Sequence, residues 1–140
     1  MASGSCICGD FKYELSGEPA MTALCHCQEC HKLTGSCYST CLMIPESKFS
    51  VGIGSRPLKT FTKKHESGMM LNIHFCPNCG TTIYKTADAE NFKGLVILQA
   101  GTLDKGLAID MEKPNAEFWT KYRTSWLEEV NGLKQYNEFE

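Results

Sequence analysis

The chain has 140 residues, 42% of them hydrophobic, with 14 Lys and Arg against 16 Asp and Glu. This length suits one domain with a core of ordinary size, and a nearly balanced charge with no basic block leaves no footprint for a nucleic-acid backbone. No apolar run approaches the roughly 20 residues of a membrane span, and residues 1–5 lack the charged and apolar regions of a secretory signal. Nine cysteines without such a signal point to a reducing compartment, the cytoplasm, where thiols serve metal binding or chemistry.

Residues 5–15 read as the first strand, since Phe11, Tyr13 and Leu15 alternate with Lys12 and Glu14. Cys6 and Cys8 stand at its beginning, and Gly9 lets the backbone turn beneath them. After a turn at 16–19 the chain enters its densest run of metal donors, Cys25, Cys27 and Cys30, and leaves it through a short helical turn ended by Gly35. Residues 37–44 form another expected strand, stopped by Pro45, followed by a Gly- and Ser-rich loop around a short strand at 49–51. Strands at 58–62 and 71–75 flank the polar turn 63–68. The second of them delivers the chain to Cys76, Pro77, Asn78, Cys79 and Gly80, which make the tip of a hairpin returning through residues 81–84. One polar turn of helix is expected at 87–92. Residues 95–98 are the most uniformly apolar strand and should be central, with a turn at 101–104. A short helix is expected over 124–130, with Thr124 as its N-cap. Many short strands and few short helices give a mainly β fold, a single zinc-stabilised domain over residues 1–140.

The thiols carry the chemistry. Cys6 and Cys8, and Cys76 and Cys79, are two close pairs far apart in sequence, each at a Gly-bearing turn beside a strand. Paired, they make a closed four-cysteine site of the kind zinc ribbons use structurally. Cys25 and Cys27 could instead pair with Cys76 and Cys79; the first arrangement is preferred because it leaves Cys25, Cys27 and Cys30 together to share an ion. Such a three-thiol site lacks its fourth corner. Either it is also structural, closed by Cys37, His31 or His74, or it keeps a position for water or substrate. Cys37 and Cys41 are otherwise read as small buried hydrophobes, and His26 and His31 as exposed neighbours of the knuckle. Three thiolates on Zn²⁺ leave one net negative charge, so bound water would be acidified weakly. An incoming thiol is the better match, because coordination would deprotonate it and leave the sulfur nucleophilic.

These residues as a set resemble the glutathione-dependent formaldehyde-activating enzyme family, which also includes centromere-associated proteins. The resemblance is carried by Gly4, Ser5, Cys6, Cys8 and Gly9, by Cys25, His26, Cys27 and Cys30 with Thr34, Gly35 and Ser36, and by Phe75, Cys76, Pro77, Cys79, Gly80 and Thr81. Gly101 to Asp104 and then Pro114, Arg123 and Trp126 continue it. Cys37 departs from it, standing where members commonly carry a small apolar residue or proline. The resemblance implies a β-rich fold with two zinc sites: a structural ion at Cys6, Cys8, Cys76 and Cys79, and a catalytic one at Cys25, Cys27 and Cys30. The implied activity is that of a carbon–sulfur lyase, S-(hydroxymethyl)glutathione synthase-like, joining glutathione or a related thiol to formaldehyde or another small electrophile. The competing expectation is a non-catalytic zinc-stabilised interaction module, in which both ions are closed.

Overall fold

The computed structural model describes residues 2–104 and 113–140. Among them, eleven strands and one α-helix form: β1 (Ala2–Ser5), β2 (Lys12–Leu15), β3 (Met21–Cys25), α1 (Gln28–Thr34), β4 (Ser39–Pro45) and β5 (Phe49–Val51). Then follow β6 (Lys59–Lys64), β7 (Met70–Phe75), β8 (Thr82–Ala87), β9 (Leu95–Gln99), β10 (Ala116–Phe118) and β11 (Lys134–Gln135). β1, β2 and β5 make an antiparallel three-stranded sheet. The remaining strands form one eight-stranded sheet in the order β11-β10-β3-β4-β9-β8-β7-β6, antiparallel except where β10 runs parallel to β3 and β11.

The large sheet is buried on both faces at its centre, because successive side chains of a strand point to opposite sides. Leu42 and Ile44 of β4, with Val96 and Leu98 of β9, join Phe11, Tyr13 and Leu15 in one core. Cys41 and Met43, with Ile97, face the other way and pack with Leu71, Phe92, Phe118 and Trp119 in a second core. Hence the unbroken apolar run of β9, flanked by β4 and β8 in the interior of the sheet as expected. The same two faces divide the cysteines: Cys6 and Cys76 belong to the first core, and Cys25, Cys27 and Cys30 to the second.

The mainly β class holds, and the strands differ in detail. Residues 5–15 are not one strand, because between β1 and β2 the chain turns back on itself with Cys6 N–H donating to Phe11 C=O at 3.1 Å. The strand expected at 58–62 runs on through Lys64. All of β6 is exposed, and its lysines mark an edge strand that discourages further pairing. The helix after Cys27 ends where Gly35 adopts φ 67°. The helix expected over 124–130 does not form. Trp126 is 73% exposed and Val130 is also exposed, so that stretch has no apolar face to bury, and a short helix without tertiary packing is unstable. Its backbone is used otherwise, with Val130 N–H donating to the Glu117 carboxylate at 2.9 Å. No helix among the described residues is long and apolar enough to cross a membrane.

Candidate metal centres

Two turns of like geometry build the first centre. Gly9 N–H donates to Cys6 C=O at 3.1 Å and Gly80 N–H to Cys76 C=O at 2.8 Å, and both glycines sit at φ 79°, a left-handed conformation that a side chain would strain. Each turn presents two thiols, and the four sulfurs of Cys6, Cys8, Cys76 and Cys79 all lie within 4.8 Å of one another. Cys6 and Cys8 Sγ are 3.5 Å apart, Cys8 and Cys76 Sγ 3.8 Å. Sulfurs held tetrahedrally at about 2.3 Å from a zinc ion would stand about 3.8 Å apart, so this donor set and its spacing fit that ion. Polar hydrogens already point at the sulfurs. Phe11 N–H donates to Cys6 Sγ at 3.4 Å. The Thr81 hydroxyl, followed by the backbone N–H groups of Thr81 and Cys8, pushes the Cys79 thiol down to about 5.

The second centre forms where β3 passes into α1. Cys25 ends the strand, Cys27 is the residue before the helix, and Cys30 lies on the helix face turned to the sheet. Their sulfurs also gather within 4.8 Å, and all three side chains are buried. None of Cys37, His31 or His74 belongs to the group. Cys37 is half-buried. His74 is stacked on Tyr84 with ring centroids 4.3 Å apart and bonded to Thr60 at 3.0 Å.

Beneath Cys30 lie groups that nothing in the sequence pattern announced. Ser39 Oγ donates to Cys30 Sγ at 2.9 Å and sits 3.1 Å from Cys41 Sγ. Lys85 Nζ, on a residue only 5% exposed, lies 3.5 Å from Cys30 Sγ and 3.7 Å from Cys41 Sγ. A buried ammonium is costly unless paired, and the groups it reaches here are sulfurs. Burial opposes its charge, but the negative charge gathered at Cys30, Cys41, Cys25 and Cys27 outweighs it and holds Lys85 well above the ordinary lysine value. Reciprocally, hydrogen bonding by Cys25, Cys27 and Cys41, with the Lys85 charge, holds Cys30 well below the usual thiol range despite burial, whereas the neighbouring sulfurs and burial push Cys25 and Cys41 well up. An ammonium poised for anionic sulfur fits a site whose ligands must be thiolates.

Other buried polar pairs lie near the second centre. His26, expected to be exposed, is 0% exposed; its Nε2 lies 2.8 Å from Glu117 Oε1, because the parallel pairing of β10 with β3 brings Glu117 beside the knuckle. Glu117 also accepts from Gln135 Nε2 at 2.8 Å. These bonds and that of Val130, together with the nearby Arg123, keep its carboxyl below the usual range in spite of burial. His31 is half-buried, and its Nε2 has no partner among the described residues. On the cavity side, His65 Nε2 lies 3.3 Å from Glu29 Oε2, and these two with Cys27 form a further group of possible ligands. Burial holds His65 below the ordinary imidazole value, with Glu29 opposing. Trp119, fully buried, adopts φ 58°, a strained conformation for a bulky residue. It lies where the backbone turns from β10 toward the cavity wall.

The family model described as glutathione-dependent formaldehyde-activating enzyme matches residues 1–122. Among solved structures, a Rhodobacter sphaeroides protein from structural genomics superposes with a TM-score of 0.60 at 17% identity, covering 80% of this chain and 96% of that one; at this identity the likeness bears on the fold alone. A search of curated proteins returns no match.

Proposed function

This chain belongs to the glutathione-dependent formaldehyde-activating enzyme family, and from that premise we propose that it is a zinc enzyme of the carbon–sulfur lyase type, S-(hydroxymethyl)glutathione synthase-like. It would add glutathione, or a related thiol, to formaldehyde or another small electrophile. In this reading residues 1–140 act as one domain in a reducing compartment such as the cytoplasm, with two zinc ions per chain. Cys6, Cys8, Cys76 and Cys79 hold the structural ion, and Cys25, Cys27 and Cys30 the catalytic one. The observation that carries the proposal is the convergence of three buried thiols, whose group contains no fourth ligand among the described residues, on a cavity that also holds a buried ammonium.

Zinc bound at the three thiols would favour the anionic, nucleophilic form of an incoming thiol. The protein's own groups do the rest. Lys85 offsets the negative charge of the sulfurs, so that a further thiolate can approach them in a dry site. Ser39 orients Cys30 through its hydroxyl. Met43, Leu71, Phe92 and Ile97 line the cavity, and such an apolar lining strengthens these electrostatic interactions. The reaction needs no oxidant: a sulfur–carbon bond forms, the carbonyl π pair becomes an O–H bond, and the thiol proton ends on that oxygen.

Cobalt substitution tests the proposal. Co²⁺ at the three-thiol centre should give a sulfur-to-metal charge-transfer band that grows saturably with glutathione and hardly at all with S-methylglutathione, which cannot form a thiolate. A band unchanged by glutathione would refute the thiol-binding reading and favour the interaction module.

A further inference from the structure

Resting on this thiol-addition reading, we infer that Phe139 is a specificity-determining gate. Closed, it leaves room for a one-carbon carbonyl only, and it must be displaced before a thiol carrying a peptide can reach the sulfurs. Two spaces meet at its ring. The inner one has Cys25, Cys27 and Cys30 in its wall and a volume of about 30 Å³. A water-sized group needs about 10–15 Å³, so roughly two such groups fit, fewer with an ion among the sulfurs. The outer space is an open groove of about 750 Å³ on the protein surface. Met69 and Phe139 are the two described residues that line both, and so stand where the spaces meet.

Of these two, Phe139 is the one built to move. Met69 is buried and its C=O accepts from His65 N–H at 2.8 Å. The tail that carries Phe139 is tied to β10 and the residues just after it by three backbone bonds, Tyr136 N–H to Glu117 C=O at 3.0 Å, Thr120 N–H to Tyr136 C=O at 3.1 Å and Trp119 N–H to Glu138 C=O at 2.9 Å. All three are made by residues other than Phe139. Its half-buried ring is seated by aromatic packing on Phe92, Phe118, Trp119 and His65, with centroids 5.1, 5.4, 5.5 and 5.8 Å away. A rotation about the side-chain bonds of Phe139 thus withdraws the ring while the backbone bonds of the tail stay made. Withdrawal joins the inner cavity to the groove and uncovers one side of Trp119. The family match ends at residue 122, so the gate lies in the chain beyond it.

Trp119 reports the motion. The chain has two tryptophans, and Trp126→Phe, at an exposed position, leaves Trp119 as the only one. In the zinc-loaded full chain with that substitution, acrylamide quenching of Trp119 and calorimetric titration with glutathione are compared for Phe139, Phe139→Leu and Phe139→Ala. With Phe139 present, quenching should start low and rise severalfold when glutathione saturates. Phe139→Ala should be quenched to the higher level without ligand and bind glutathione roughly tenfold more tightly, because no ring has to be displaced. Phe139→Leu should fall between, and carries the test should Phe139→Ala fail to fold. Glutathione that binds all the proteins with equal affinity and leaves Trp119 shielded overturns the gate, while the thiol-addition reading stands. Glutathione that binds none of them, and leaves the cobalt band of the parent unchanged, overturns that reading and the gate with it.

Discussion

The two thiol clusters share one donor chemistry and differ in nearly everything around it. The Cys6, Cys8, Cys76, Cys79 group joins two turns remote in sequence, with Cys8 exposed and Cys79 half-buried; its sulfurs are met by backbone N–H groups and the Thr81 hydroxyl. The Cys25, Cys27, Cys30 group comes from one short stretch across the sheet, wholly buried, met by Ser39 and by the charge of Lys85. A cluster that fastens distant chain segments makes the fold depend on its ion. On the proposed reading, a cluster contained within six residues leaves the fold largely independent of its ion, so that its corner would be free to serve chemistry. Four substitutions test this contrast.

The largest effect is expected from the cluster that bridges distant turns. Structural zinc can supply on the order of 10 kcal/mol to folding, so Cys79→Ser should leave the protein unfolded or aggregated at ambient temperature. Cys30→Ser should stay folded, with a cooperative thermal melt, and lose the cobalt response to glutathione. Equally severe melts for the two would erase the distinction and support two structural ions.

Lys85→Met comes next. Removing one partner of a buried charge pair leaves the other uncompensated, and here the cost should fall on the thiolate form of the second centre. Competition with a chromophoric chelator should show the zinc affinity of that centre reduced roughly 10–100-fold, as for other groups that support metal ligands, with the four-cysteine centre unchanged. Equal loss from both centres would mean that Lys85 supports the fold and not the charge of one site.

The smallest effect sharpens the picture at the wall of the buried cluster. The Glu117 carboxyl titrates below its ordinary 4.5 in the folded protein. The folded state therefore binds the proton less readily than the unfolded chain, and the stability due to Glu117 is present above about pH 4.5 and lost as pH falls through the folded value. Glu117→Gln should cost about 1–3 kcal/mol at neutral pH, the range for a buried hydrogen-bonding group whose partners are left unsatisfied. It should also flatten the acid limb of a denaturation series between pH 5 and 3. An acid limb as steep as in the parent would assign that limb to other carboxylates.

Much of this was written locally. The alternation in β2 and β7, the uniformly apolar β9, the helix stop at Gly35 and the paired Cys–Gly turns are short-range patterns, visible because period-two burial and left-handed glycine conformations leave their mark within a few residues. Lys85 escaped for a definite reason. Phe75 pairs with Thr82 but His74 with Tyr84, so Ile83 is an extra residue in the ladder. Ile83 is therefore in the first core, Tyr84 packs against that same core, and Lys85 is turned to the thiol face. A bulge re-aims every side chain after it, and strict alternation reads that strand one step out of phase. The helix expected over 124–130 failed for the complementary reason, since its local pattern found no surface to pack on.

By itself, then, the sequence determined the mainly β class, which thiols stand at turns, and the grouping of the cysteines into close pairs and a triplet, because each rests on spacing that the backbone cannot alter. Only the tertiary structure decided what those thiols meet. His26 and Glu117, 91 positions apart, are partners because β10 lies parallel to β3, and Phe139 reaches the cavity because the tail is tied back to Trp119 and Thr120. Contacts of this range depend on strand order and register, which are settled by how the two cores pack as wholes and leave no periodic trace in the residues that make them.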